Sequence, residues 1–151
     1  MRRHSIHIDE EACWGCKTCE VACKQEFDFP CGVKLISVAE DGPRIVHGKP
    51  FFVYRVNLCR QCDEPACAQA CPEGAITKRP DGIVVLEEKR CSGCQKCIDE
   101  CPYQVIDFDE DQGTAHKCNL CHHRVDQGLI PACADNVCLA HCIHFVEEDE
   151  R

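Results

Sequence analysis

Eighteen cysteines, and the way they are spaced, constrain what this 151-residue chain can fold into more than any other feature. At about 12% of residues they exceed the level at which composition alone indicates a disulfide scaffold or a metal protein. The first group reads Cys13-x2-Cys16-x2-Cys19-x3-Cys23, and the third reads Cys91-x2-Cys94-x2-Cys97-x3-Cys101-Pro102. The second widens one gap, as Cys59-x2-Cys62-x4-Cys67-x3-Cys71-Pro72. The fourth is looser: Cys118-x2-Cys121 is followed after eleven residues by Cys133, then by Cys138 and Cys142. Similar groups recurring along ordinary sequence mark an internally repeated architecture.

A loop with two residues between cysteines can wrap one cubane [4Fe–4S] cluster and present three thiolates to three irons, and the third group matches the bacterial ferredoxin run. The fourth cysteine begins to leave that loop. In ferredoxin-type pairs it ligates the other cluster, so two groups exchange their last cysteines and cluster binding becomes part of folding. Four-cysteine zinc sites also use pairs two apart, but they do not need runs of four with Cys-Pro endings. A disulfide framework belongs to secreted domains. The opening Met1-Arg2-Arg3-His4 is followed by the charged Asp9-Glu10-Glu11 where a signal peptide needs an apolar stretch, so the arginines read as surface residues.

The 44% apolar figure counts the cysteines, leaving about a third of the chain as ordinary core material. Proline after Cys71 and Cys101 cannot continue a helix and turns the chain into extended backbone. Gly74-Ala75-Ile76, Ile83-Val84-Val85 and Val105-Ile106 therefore read as short strands, and the residues just before Cys71 and Cys101 as single helical stretches. The fold class expected is α+β. Over about 31–56, Val33–Val38, a turn at Asp41-Gly42-Pro43 and Phe51–Val56 read as an inserted hairpin, which covers a cluster or docks a partner. Cys31 lies outside every group and reads as a packed thiol. The histidines around the fourth group read as surface or supporting residues. Trp14 and Tyr103 would shield a cluster or simply pack. Glu147–Glu150 reads as a solvated end.

Taken together, these residues resemble the four-cluster iron–sulfur subunits of molybdenum and tungsten pterin enzymes, such as the electron-transfer subunit of dimethyl sulfoxide reductase. The resemblance runs from Asp9 to about Phe145. It rests on the order of the groups, on Asn57-Leu58-Cys59-Arg60-Gln61-Cys62 leading to Pro65-Ala66-Cys67, on Cys71-Pro72-Glu73-Gly74-Ala75-Ile76, and on Lys117-Cys118-Asn119-Leu120-Cys121. It implies a single unit over 1–151 built of two nested ferredoxin-like modules, the inner at about 57–108 and the outer from about 5–30 plus 114–146. It also implies four [4Fe–4S] clusters. One takes Cys59, Cys62, Cys67 and Cys101, and its neighbour takes Cys91, Cys94, Cys97 and Cys71. Of the outer pair, one takes Cys13, Cys16, Cys19 and Cys142, and the other takes Cys118, Cys121, Cys23 and Cys133, with Cys138 the alternative to Cys133. The family places three residues between its last two ligands and follows them with proline, whereas this chain has Cys133-x4-Cys138-x3-Cys142-Ile143 and one cysteine to spare.

The formal charge of −9 provides no basic stripe for nucleic acid. Four oxidised clusters with their thiolates would bring it to roughly −17, which favours partners with positive surfaces. No apolar stretch is long enough to span a membrane, so a membrane link would run through a partner and the cytoplasm is the expected compartment. No nucleophile–base pair, phosphate loop or open metal site is visible, and no substrate chemistry is assigned. The expected role is electron transfer beside a large pterin-containing catalytic subunit. An aldehyde- or formate-oxidising enzyme is the expected complex, with a flavin or ferredoxin-type carrier as a further partner. The alternatives are a free polyferredoxin and a non-redox protein with structural metal; co-purification and redox titration separate the three.

Overall fold

The computed structural model describes residues 2–149. In chain order the elements are β1 (Arg2–Ile8), α1 (Thr18–Phe27), β2 (Ile36–Val46), β3 (Lys49–Leu58), α2 (Ala66–Ala70), β4 (Ile76–Lys78), β5 (Val84–Leu86), α3 (Lys96–Asp99), β6 (Ile106–Asp109), β7 (Thr114–Lys117), α4 (His122–Val125) and β8 (Ile143–Asp149). The strands form four antiparallel pairs: β1 with β8, β2 with β3, β4 with β5, and β6 with β7. Each of β4, β6 and β8 opens on an isoleucine five residues after a cysteine, namely Cys71, Cys101 and Cys138. The same turn thus leads into a strand three times.

Two apolar cores result. One gathers Cys67, Ile76, Val84, Cys97, Ile106 and Ala115 between the two short hairpins and helices α2 and α3. The other gathers Ile36, Leu58, Ile83, Leu120 and Ile143 around the sulfurs of Cys19, Cys23, Cys118 and Cys133. A fully buried isoleucine contributes about 1.5–3 kcal/mol, so a core this small leans on what the cysteines hold.

Three sequence expectations change. Asp41-Gly42-Pro43 does not turn the hairpin; it is an irregularity of register inside β2, and the chain reverses at His47–Gly48, between Val46 and Lys49. The solvated acidic run is also a paired strand: β1 and β8 pair in register, with His4 opposite Glu147, Ile6 opposite Phe145 and Ile8 opposite Ile143. The acidic run is thus paired strand in which Glu147 and Glu148 stay exposed, and its Glu150 lies outside the described residues. Cys31 is exposed instead of packed, because it rides in the turn after Pro30.

Glu20 ties α1 to the hairpin. Its buried carboxylate accepts the Val38 amide at 2.7 Å and the Lys34 ammonium at 2.9 Å. Burial alone would raise its pKa, but these two partners outweigh it and hold the group below the usual glutamate range. A folded pKa below the unfolded one gives stability that is present above the unfolded value and lost as pH falls through the folded one. Glu20→Ala leaves the buried Val38 amide without its acceptor and is expected to cost about 1–3 kcal/mol at pH 7. In anaerobic thermal melts at pH 7, Glu20→Gln, which keeps an acceptor for the Val38 amide but not the charge, should recover only part of that loss; full recovery would show that the charge is not what matters.

Candidate iron–sulfur sites

Each cysteine group begins with the same backbone device. The residue before the second cysteine is left-handed in all four: Gly15 (φ 68°), Gln61 (49°), Gly93 (71°) and Leu120 (51°). Alternating hand in this way turns successive N–H groups to one side and forms a concavity suited to an anion such as a cluster with its thiolates. In the first three groups the third cysteine then sits in the first turns of a short helix, as Cys19 of α1, Cys67 of α2 and Cys97 of α3, and all three are buried.

Glycine is required where the loop is closest to its neighbours. A Cβ on Gly93 would lie 2.4 Å from the Gly113 carbonyl oxygen, which is backbone and has little freedom to yield. Gly93→Ala is expected to lower stability by about 2–4 kcal/mol through clash and left-handed strain. Gly128→Ala, also left-handed (φ 77°) but facing open space, should cost only the strain, about 1–2 kcal/mol. Equal shifts in anaerobic melting temperature would refute the close approach.

The sulfurs gather into four sets. A cavity of about 250 Å³ is lined by Cys59, Cys62, Cys67 and Cys101, with Val84, Ile106 and Lys117 among its walls. Beside it lie Cys71, Cys91, Cys94 and Cys97: burial, then the charges of Cys91, Cys67, Cys71 and Cys94, push the Cys97 thiol up to about 11. A third set joins Cys118 and Cys121 to Cys23 and Cys133. Burial raises the Cys133 thiol, followed by the charges of Cys118, Cys23 and Cys121, and Cys23 reaches about 12 by burial and then the charge of Cys121. The fourth holds Cys13, Cys16, Cys19, Cys138 and Cys142. Cys19 is raised to about 12 chiefly by burial, with Cys138 and Cys16 among its charged neighbours. Cys16 is lowered instead, because the Thr18 hydroxyl donates to its sulfur at 3.3 Å.

Charge links neighbouring sets: Cys67 is among the groups that raise Cys97, Cys59 among those that raise Cys118, and Cys19 among those that raise Cys133, after burial in each case. These links give the order Cys91 set, Cys59 set, Cys118 set, Cys13 set. Its two outermost sets each carry an exposed cysteine, Cys94 at one end and Cys16 at the other.

In the fourth group the resemblance implies Cys142 as the crossed ligand and Cys138 as the alternative to Cys133, and the local backbone bears on both. Cys133 sits with Cys23, Cys118 and Cys121, while Cys138 takes the position held by Cys71 and Cys101. The turns match residue by residue: Gly74, Gln104 and His141 are each left-handed, and each donates its N–H to the carbonyl of Cys71, Cys101 or Cys138, at 3.2, 3.1 and 3.0 Å. Cys142 then stands where Ala75 and Val105 stand. Its N–H lies 3.4 Å from the Cys138 sulfur, as the Ala75 N–H lies 3.3 Å from that of Cys71. The signal was in the sequence as Cys-x3-small-Ile, written three times, but Leu139 in place of proline hides the third copy.

Two polar residues escaped sequence reasoning. Buried Lys117 lines the Cys59 cavity and donates to the carbonyls of Val84 and Cys118, both at 2.8 Å. Buried Gln61 donates to the Cys118 carbonyl at 3.0 Å and accepts the Val84 amide at 2.8 Å. Together they join the two central sulfur sets. The histidines near the fourth group pair with acids: His123 with Glu26 at 2.7 Å and His141 with Asp135 at 3.0 Å. Trp14 is 66% exposed, while Tyr103 lines the Cys59 cavity with Arg60 over its ring. The hairpin covers the first loop, since Tyr54 packs where a Gly15 side chain would be.

The donor sets suit cubanes. A cube's ligands stand at separate corners around a volume, as the four cysteines do around the Cys59 cavity, whereas a zinc ion draws its ligands to one point at about 2.3 Å. Among the described residues no three metal-binding side chains converge on such a point.

Comparison with known proteins agrees. The family model of the 4Fe-4S dicluster domain matches residues 50–148, and that of the 4Fe-4S binding domain matches residues 6–27. The B component of the anaerobic dimethyl sulfoxide reductase of Haemophilus influenzae is 36% identical, over 99% of this chain and 77% of its own length. The Escherichia coli protein of the same name is 36% identical, over 98% and 75%. The B component of the tetrathionate reductase of Salmonella typhimurium is 38% identical, over 89% of this chain and 54% of its own length. With its cysteine loops, their turns and these relatives in agreement, the chain belongs to the 4Fe–4S dicluster family, the family of the B components of the anaerobic dimethyl sulfoxide reductases.

Proposed function

We propose that this chain is the electron-transfer subunit of a molybdenum- or tungsten-pterin oxidoreductase, that it carries four [4Fe–4S] clusters in a row, and that it performs no substrate chemistry itself. The observation that supports this most is geometric: Cys101 of the third group joins Cys59, Cys62 and Cys67 of the second around one cavity of about 250 Å³. The ligands are Cys71, Cys91, Cys94 and Cys97; then Cys59, Cys62, Cys67 and Cys101; then Cys23, Cys118, Cys121 and Cys133; and last Cys13, Cys16, Cys19 and Cys138. Two nested ferredoxin-like modules with crossed ligands account for both the two cores and the pairing of chain ends.

Such clusters, when bound, supply one-electron steps at potentials set by hydrogen bonds, burial and local charge. The chain's own part is to hold them apart at fixed spacing, to exclude water with Val84, Val105 and Ile106, to aim amides at sulfur, and to place the Lys117 ammonium between the two central sets. Electrons enter at one exposed end and leave at the other, one facing the pterin subunit and the second a flavin or ferredoxin-type carrier.

The relatives' names favour a reductase as the partner over an aldehyde- or formate-oxidising enzyme, and a subunit over a free polyferredoxin. Among the described residues no helix is long and apolar enough to cross a membrane, and the reading places the chain in the cytoplasm. Iron and acid-labile sulfide on anaerobically purified protein should give about sixteen of each per chain, with reversible one-electron steps between about −700 and +450 mV. Zinc without sulfide, or clusters silent throughout that range, would overturn it.

A further inference from the structure

At the exposed end of the row five sulfurs meet where four are needed. Cys142 is 1% exposed, and its sulfur is 3.5 Å from that of Cys138. The turn itself does not require a thiol here, because Ala75 and Val105 fill the same position in the two sister turns. A buried free cysteine often packs merely as a small apolar group. This one instead lies against the sulfur of Cys138, and its own N–H is 3.4 Å from that same sulfur, in the set whose Cys16 is open to solvent.

We propose that Cys142 is a reserve ligand of this cluster, interchangeable with Cys138 at the same iron. The inference rests on the four-cluster reading. The exchange balances: the iron–sulfur bond to Cys138 breaks, that to Cys142 forms, and the proton of the Cys142 thiol passes to the departing Cys138 sulfur. Neither the iron oxidation state nor the net charge changes. The device belongs at the end of the row, where an exposed cluster is the first to meet oxidants and competing ligands, and where losing one thiolate would otherwise cost the cluster and the fold that depends on it.

The test compares the full chain, purified anaerobically, as wild type, Cys138→Ala, Cys142→Ala, the double variant, and Cys101→Ala as a control in which Val105 occupies the fifth position. Iron, sulfide and the EPR of the reduced protein are the readouts. Cys138→Ala and Cys142→Ala should each keep the wild-type iron, with an altered EPR line shape in Cys138→Ala alone. The double variant should lose between about one and four irons, and so should Cys101→Ala. Loss of iron from Cys138→Ala while Cys142 is present overturns the proposal, and so does its failure to fold when Cys142→Ala folds. Loss from Cys142→Ala, or full retention by Cys101→Ala, overturns it equally. A wild type without about sixteen irons would instead count against the four-cluster reading, so the two failures are distinct.

Discussion

Cys101→Ala is expected to remove iron from the site of Cys59, Cys62 and Cys67, though Cys101 belongs by sequence to the run that begins at Cys91. The decisive readout is how losses combine. Cys101→Ala with Cys59→Ala should lose no more iron than either alone, because both act on one cluster. Cys101→Ala with Cys91→Ala should lose about twice as much, because residues in one unit are non-additive and independent sites add. A chain of about sixteen irons would fall to about twelve in the first pair and about eight in the second if each crippled cluster is lost whole. The reverse pattern would mean that the groups do not cross. Since ligand binding and folding are coupled, the second pair should also melt well below the first under anaerobic conditions.

Lys117→Met is expected to make the potential of the cluster proposed at Cys59, Cys62, Cys67 and Cys101 more negative. A reduced cluster carries one more negative charge, and a nearby ammonium favours it; removing that charge disfavours reduction. Burial raises the Cys67 and Cys118 thiols, and the Lys117 charge is close enough to oppose that rise at both. One unit charge acting a few ångströms away at an effective dielectric of about 20 shifts a potential by on the order of 100 mV. Lys117→Arg keeps the charge and should move the potential far less. Because Lys117 also serves two buried carbonyls, both variants should lose stability, about 1–2 kcal/mol for each weakened bond. The potential, read by EPR-monitored titration, separates the electrostatic role from the structural one: equal shifts in Met and Arg variants would leave only packing.

The legible part of the fold was whatever repeats locally. The strands after Cys71 and Cys101 and the helical turns before them follow from proline's fixed φ and from short apolar runs, and they appear as β4, β6, α2 and α3. The hairpin was legible too, but its turn was not. Asp41-Gly42-Pro43 has turn composition, yet β2 continues through it because the pairing with β3 shifts register there and absorbs the irregularity. Strands β1 and β8 were illegible for a different reason. Neither has a strong period of its own, and each is a strand only because the other lies beside it, nearly the whole chain away.

By itself, then, the sequence determined the chemistry and the number of thiolate groups. Two residues between cysteines is a local constraint, satisfied within one loop whatever surrounds it. Only the tertiary structure decided that Cys101 meets Cys59, Cys62 and Cys67 around one cavity, that Cys133 lies near Cys23, that Cys138 holds the turn position with Cys142 beside it, and that Lys117 lines the same cavity while donating to the Cys118 carbonyl. Those choices join residues about a hundred positions apart, as Cys23 and Cys133 are, and such pairings are settled by which buried faces pack together, not by spacing along the chain.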